Sequence, residues 1–315
     1  MTHPAHPTPA PPGPDPFSLA SHPALHAQLA ALAAQTSAHA QARRFVLTES
    51  RLAVVADAAP PPQPLPLGAS RTGGDPDLPE GMAHPADADG RLYQFLAQLH
   101  LPDLAPLQPW LPRTGLLSFF VGDAMDGSAP HVLHLDVPRE HLRRWRYGPD
   151  SRWLNPDLDA STQPDAPDWL RRPPEQALHW RLAASLPWPW SRPHHLALRH
   201  PHWAHALASE TPDHWQPAIA ELTEHLLTAD EGSAPPLLAS EQAHALNGWI
   251  ATQHASPEEQ AAETLGGEPV DWLVLLALRS AGGLGFGDAG TLSFCIQRQA
   301  LAAGDFSAVH ASVES

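Results

Sequence analysis

The 315-residue chain carries a formal charge of -16, a single cysteine and 18 basic residues, all of them arginine. Without lysine it lacks the phosphate-contacting lysine of a P-loop, the Schiff-base lysine of pyridoxal phosphate or aldolase chemistry, and a kinase-type lysine; its charge would repel nucleic acid and anionic lipid. Cys295 alone cannot form an internal disulfide or a cysteine-rich zinc or iron–sulfur site, and suits a reducing compartment.

In chain order, residues 1–16 read as a disordered Pro/His-rich tail with neither the basic region nor the apolar core of a secretory signal. No run reaches the length of a membrane span, so a cytoplasmic protein is expected. Residues 17–315 read as one domain, long enough to bury a core without a metal or disulfide staple. From Ala24 to Arg44, Leu25, Leu29 and Leu32 recur at helical spacing in an alanine-rich background, predicting one amphipathic helix. The following FVLTESRLAVVAD predicts one or two strands. Further strands are expected at His131–Val137 and Ala177–Leu186. Thr211-Pro212 opens a helix whose apolar stripe is Trp215, Ile219, Leu222 and Leu226, ending near Ala229. Ser240 is expected to cap a shorter helix that Asn247-Gly248 ends, and Ser256-Pro-Glu-Glu259 forms a capping box for a third.

Two stretches carry the strongest pattern. In YQFLAQLHL, Tyr93, Phe95, Ala97, Leu99 and Leu101 alternate with Gln94, Leu96, Gln98 and His100, the period of a half-buried strand. In WLVLLALR, Trp272, Val274, Leu276 and Leu278 share one face, and Leu273, Leu275 and Ala277 are apolar too, so that strand reads as buried on both faces. Each is followed across a loop by a matching segment, GLLSFFV from Gly115 and GTLSFCI from Gly290. This common order points to an internal duplication of residues 93–121 and 272–296, with Leu96 matching Leu275, Leu99 matching Leu278 and Phe119 matching Phe294. Trp272, Leu276, Leu292 and Phe294 are expected in the core. The fold class is α+β, mainly β, with two related strand-loop-strand halves and flanking helices.

LGASRTGGDPDLPEG (Leu67–Gly81), YQFLAQLHL, LPRTGLLSFF, HALNGW and GDAGTLSFCIQ…LAAGDFSAV, in that order, resemble the YwqG-like family, a bacterial domain of unknown function. The most specific pieces are Ser70-Arg71-Thr72-Gly73-Gly74 with Pro76 to Pro79, and Gly287-Asp288-Ala289-Gly290. The resemblance implies a mainly β fold with flanking helices and no established activity. The chain departs from the family at His84-Pro85, where Trp-Pro is usual, and at Ala277, where glutamine is usual; of that pair only Gln98 remains.

Several sharper readings compete with structural ones. Gly285-Phe-Gly287-Asp-Ala-Gly290 satisfies the dinucleotide pattern, but Leu292, Phe294 and Ile296 then alternate as in a strand, where pyrophosphate binding needs a helix. A loop requiring positive φ is the better reading. His194, His195, His200, His202 and His205 suggest a metal site, yet no carboxylate lies among them and their spacing fits no closed zinc motif; no metal and no cofactor is assigned. Cys295 lies in an apolar strand and reads as a buried small residue. Asp75 and Asp77 read as turn carboxylates.

Two functional classes remain. One is a non-enzymatic protein-interaction domain, adaptor or antitoxin-like, whose acidic surface suits a basic partner. The other is a small-molecule-binding or hydrolytic domain with a cleft between the two halves, using Arg71, Gln98 and Asp288 between glycine-rich loops. Arg71 and Asp288, each beside a glycine cluster, are expected to pair across the interface.

Overall fold

A computed structural model describes residues 14–148, 151–159, 163, 165, 167–187, 198–200, 203, 216–240, 242–252 and 255–314. Among them, seven helices accompany twelve strands: α1 (Pro23–Ala34), α2 (Ala40–Glu49), β1 (Arg51–Ala59), β2 (Arg71–Thr72), β3 (Asp77–Pro79), β4 (Gln94–His100), α3 (Leu101–Leu104), β5 (Leu116–Val121), β6 (His131–Leu135), β7 (Leu142–Arg144), α4 (Asp168–Arg171), β8 (Gln176–Ser185), α5 (Gln216–Asp230), β9 (His244–Leu246), α6 (Pro257–Leu265), β10 (Trp272–Arg279), β11 (Thr291–Gln297), α7 (Arg298–Ala303) and β12 (Val309–Glu314). Ten strands form one nearly closed antiparallel sheet in the order β12-β11-β10-β9-β1-β8-β2-β4-β5-β6, and β3 pairs with β7 in a separate ribbon. The class is therefore α+β and mainly β.

The sheet reads the same from either end. Its two outer blocks share one register: Leu99 faces Leu117 as Leu278 faces Leu292, and Ala97 faces Phe119 as Leu276 faces Phe294. The correspondence continues outward, where Leu117 faces His134 as Leu292 faces Val313. Both ladders slip by one residue at matched positions, Leu96 in β4 and Leu275 in β10. A bulge of this kind turns successive residues to the same side, so Leu96 and Ala97, like Leu275 and Leu276, face the same interior core. Strict alternation therefore fails in both strands. Trp272 and Val274 point outward to α6, while Leu276 and Leu278 point inward. β4, expected to be half-buried, is covered on both faces along almost its whole length.

The interior unites both blocks. Leu99, Leu117, Phe119, Leu278, Leu292 and Phe294 belong to one core, where the Phe119 and Phe294 rings meet at 5.1 Å. Trp272, Leu276, Leu292 and Phe294 are buried as expected. Outside, the blocks differ. The β3–β7 ribbon covers Phe95 and Phe120 with Leu78 and Leu142, whereas α6 covers Val274 and Cys295 with Ala261 and Ala262. Helices α1, α2 and α5 pack over Leu52 and Ala184 of the central strands.

Three expected elements are corrected. The single helix from Ala24 to Arg44 is two helices, because Thr36 turns its hydroxyl back to the Ala33 carbonyl and His39 caps a new start at Ala40 by accepting from the Gln41 N–H. FVLTE continues α2, where Ala42, Phe45, Val46 and Glu49 share the buried face; the strand begins only at Arg51. The helix expected after Ser240 is instead β9, since His244–Leu246 fills the sheet between β1 and β10 and tertiary pairing outweighs the local pattern. Thr211 and Trp215 lie outside the described residues, but Ile219, Leu222 and Leu226 form the buried stripe of α5, and Ser256 caps α6. Of the tail, residues 1–13 lie outside the described set, while Asp15 is anchored by Arg199 and Arg298 at 3.0 and 3.1 Å.

The correspondence reaches individual hydrogen bonds. Ser70 Oγ accepts from the His100 N–H at 2.8 Å, and at the matching place His244 Nδ1 accepts from the Arg279 N–H at 3.1 Å. Burial, reinforced by Arg279, pulls the His244 pKa from 6.5 to about 4. Because the folded pKa lies below the unfolded one, this contribution to stability is present above 6.5 and is lost as pH falls toward about 4. Changing His244→Ser, which copies Ser70, should flatten the fall of unfolding free energy over that window by up to about 3 kcal/mol in urea titrations. Truncating Phe294→Ala should cost about 3–5 kcal/mol by equilibrium denaturation.

Candidate functional site

Arg71 on β2 and Gln98 on β4 stand directly opposite in the ladder. Both side chains point out of the barrel interior toward the β3–β7 ribbon, where Asp77 enters from β3. Arg71 is fully buried. Its guanidinium donates to Asp77 Oδ2 at 2.8 Å and to the Asp75 carbonyl, and its Nε lies 3.1 Å from Glu175. Asp77 is the hub. It also accepts from Arg144 Nε at 2.6 Å, the Gly68 N–H at 2.8 Å and Gln98 Nε2 at 2.8 Å, while its own N–H donates to Gln98 Oε1 at 3.0 Å. Arg144 donates in turn to Glu175 at 2.9 Å. Burial raises the Asp77 pKa, but its hydrogen bonds and charge contacts with Arg71 and Arg144 prevail and hold it below 3.8. Burial lowers the Arg71 pKa, opposed by Asp77.

The glycines explain how Glu175 reaches this network. Gly73 has φ +64°, and a Cβ there would sit 2.3 Å from the Pro174 carbonyl oxygen. In the other glycine-rich loop, a Cβ on Gly283 would lie 2.4 Å from the Pro174 ring. Thus both loops close on the segment Pro173–Gln176, and Gly74 N–H binds the Pro173 carbonyl at 2.8 Å. Close backbone approach, rather than a ligand, accounts for these positions. Pro76 gives its carbonyl to the Trp145 N–H at 2.9 Å, and Pro79 ends β3 opposite Leu142.

Asp288 does not join this cluster. It is exposed on the β10–β11 loop, so the expected Arg71–Asp288 pair is not formed; Arg71 is committed to Asp77 and Glu175. The loop does use positive φ, at Gly287 (51°) and Ala289 (57°), and Gly290 runs into strand β11 rather than a helix. Gly290 N–H binds the Phe286 carbonyl at 2.7 Å. Cys295 is buried, which pushes its thiol pKa up. His200 Nδ1 lies 2.6 Å from the Glu49 carboxylate oxygen Oε1, whereas His194, His195, His202 and His205 lie outside the described residues. Among the described residues no group of three His, Cys, Asp or Glu side chains is placed to hold a metal ion.

Asp75 joins the network to a surface pocket. Its carboxylate contacts Arg172 and stands 3.9 Å from Arg146. Beyond it lies a pocket of about 280 Å³ walled by Tyr147 and Trp153, whose rings are 4.5 Å apart, and by Arg146, Arg171, Arg172 and Asp168. The pocket belongs to the first block and the segment after β7, not to a cleft between the halves. Trp169, between Asp168 and Arg171 on α4, is 54% exposed. Reading the sequence missed this site because Asp75 and Asp77 look like turn residues and, Arg71 apart, their arginines Arg144, Arg146 and Arg172 lie far along the chain, Arg144 being 67 positions from Asp77. The only local signal was the density of arginine at Arg143-Arg144, Arg146 and Arg171-Arg172.

A family model described as a domain of unknown function, DUF1963, matches residues 70–314. The chain belongs to this family. Comparison with curated proteins gives no match. The DUF1963 match begins at Ser70, the hydrogen-bond acceptor beside Arg71, and so contains Arg71, Asp77, Gln98, Arg144, Glu175 and the pocket. Among the described residues, no helix of the chain is long and apolar enough to cross a membrane. Within this DUF1963 domain, His84, standing where tryptophan was expected, is buried against Trp145, Phe120 and Tyr147 at 4.5, 5.3 and 5.4 Å. Desolvation brings its pKa to about 4.

The second block carries apolar residues where this network stands in the first. Ala245 and Ala277 face each other at the places of Arg71 and Gln98 in the second block, Ala277 under α6 and Ala245 against Ala53, Val55 and Ala183. Removing one buried partner leaves the others uncompensated, so Asp77→Asn should lower stability by about 3–5 kcal/mol at neutral pH. The difference from the parent should shrink as pH falls through the depressed Asp77 pKa, below 3.8, where the parent carboxylate is itself protonated. Denaturant titrations across that range check both outcomes.

Proposed function

We propose that this chain is a non-enzymatic protein-interaction domain, adaptor or antitoxin-like, of the YwqG-like branch of its family, working in a bacterial cytoplasm. We infer also that its two blocks arose by duplication, which their shared register and matched bulges support. The observation that carries the functional reading is Trp169, 54% exposed on α4 and next in sequence to Asp168, which lines an arginine-rich pocket whose floor is anchored by the Arg71–Asp77 pair. Tryptophan and arginine dominate the residues that supply binding energy at protein interfaces, and an exposed tryptophan is otherwise an unfavourable surface choice.

Arg71 and Gln98 have a supporting part in this reading. They hold Asp77 and the Asp75 backbone, and so fix the pocket floor without touching the partner. The formal charge of -16 would steer a partner that is basic overall, while the pocket would receive one acidic group presented by it. No nucleophile paired with a base stands among the described pocket residues to suggest turnover.

Capture from a lysate of the host cell, followed by affinity measurement with the purified partner, tests the reading. Trp169→Ala and Arg146→Ala should each weaken a single stoichiometric protein partner by about tenfold or more without lowering Tm, whereas Leu265→Ala on α6 should leave binding unchanged. A partner held equally by both variants would sink it; a co-purifying metabolite lost in Arg146→Ala, with no protein partner, would favour the small-molecule-binding reading.

A further inference from the structure

The geometry points to an anion-binding site in the arginine pocket, at which a phosphate or carboxylate group of the ligand competes with Asp75 for Arg146 and Arg172. The inference rests on reading this pocket as the recognition site, but not on the ligand's being part of a protein.

The two guanidiniums converge on one oxygen, Asp75 Oδ2, with Arg172 in contact and Arg146 at 3.9 Å. One carboxylate oxygen cannot occupy the five N–H donors that each guanidinium carries. Arg146 is 71% exposed and Arg172 47%, so their remaining donors face the opening. Arg171 is differently placed: it donates to the Leu158 carbonyl at 2.6 Å and the Gln163 carbonyl at 2.9 Å, and forms wall rather than receptor. A planar fork of this type favours anions with two or three oxygens.

Asp75 cannot swing aside to admit such a group. Its carbonyl is held by buried Arg71, and its side chain is only 1% exposed. The charged groups that face it are Arg172, Arg146, Arg144 and Arg71, with Tyr147 beside them; burial nevertheless outweighs the arginines and raises its pKa. The site is thus an incompletely neutralised pair of cations around a fixed internal carboxylate. An anion entering there shares those cations with Asp75 and is repelled by it, so the carboxylate weakens binding while keeping the empty pocket from being strongly cationic.

Isothermal titration with inorganic phosphate and, separately, with acetate, at constant ionic strength and with chloride as reference, tests this. The parent should bind one phosphate or acetate saturably, and Asp75→Asn should bind it about tenfold tighter or more, as removal of a unit charge at this range implies. Arg146→Ala, at an exposed position, should weaken it about tenfold with Tm unchanged, which keeps the test decisive even if Asp75→Asn folds poorly. Preference for phosphate would name a phosphorylated ligand and preference for acetate a carboxylate, either within the inference. An equal response to chloride, unchanged affinity in folded Asp75→Asn, or undiminished binding in Arg146→Ala would overturn it. Loss of the protein partner with phosphate binding intact would reject protein docking alone.

Discussion

The buried pair of Arg71 and Asp77 holds the functional end of this molecule together. Through Asp77 it joins the Gly68 loop, the β3–β7 ribbon and strand β4, and through Arg71 it joins the Asp75 backbone and the Glu175 segment. Full removal from water is expensive for both ions, and such pairs rarely add net stability over an apolar substitute. What the pair does supply is position. A flexible stretch rich in glycine and proline acquires one arrangement, because every alternative would leave a charge buried without its partners.

Two blocks share a ladder register, a bulge and an interior of leucine and phenylalanine, yet their outer faces carry different groups: Arg71, Gln98 and Asp77 meet in the first, while in the second Arg51 pairs with Glu258 of α6 beside a patch of alanines. In the second block alanines leave room for α6 to pack directly on the sheet. In the first, Arg71 and Gln98 hold off such close packing and engage a polar ribbon instead. The barrel interior therefore answers to the requirement for close packing, whereas the outer faces differ, one meeting α6 and the other the β3–β7 ribbon.

Net charge and local charge point in different directions. The chain is strongly acidic, yet Arg144, Arg146, Arg171 and Arg172 gather around Asp75, Asp77 and Glu175. A long-range field from the whole surface governs encounter, whereas contacts within a few ångströms govern what is held. A pocket with spare guanidinium donors in an acidic protein thus combines general repulsion of anions with one place where a well-shaped anion is retained.

Read alone, the sequence determined the mainly β class, the two strand-loop-strand centres, the core positions Trp272, Leu276, Leu292 and Phe294, and strand β11 after Gly290, because these depend on residue period and turn chemistry over short spans. It could not reveal the bulges at Leu96 and Leu275, since an extra residue in a ladder leaves the composition of an apolar strand unchanged. It also misread FVLTE and HAL: Phe45 and Val46 suit a strand as well as a helix, and only contact with α5 and the sheet chose between them. Tertiary structure alone decided that Arg71 pairs with Asp77 and Glu175 rather than Asp288. Which of several nearby carboxylates a buried arginine meets depends on the strand order that brings β2, β3, β7 and the start of β8 together, and separation along the chain carries no information about that.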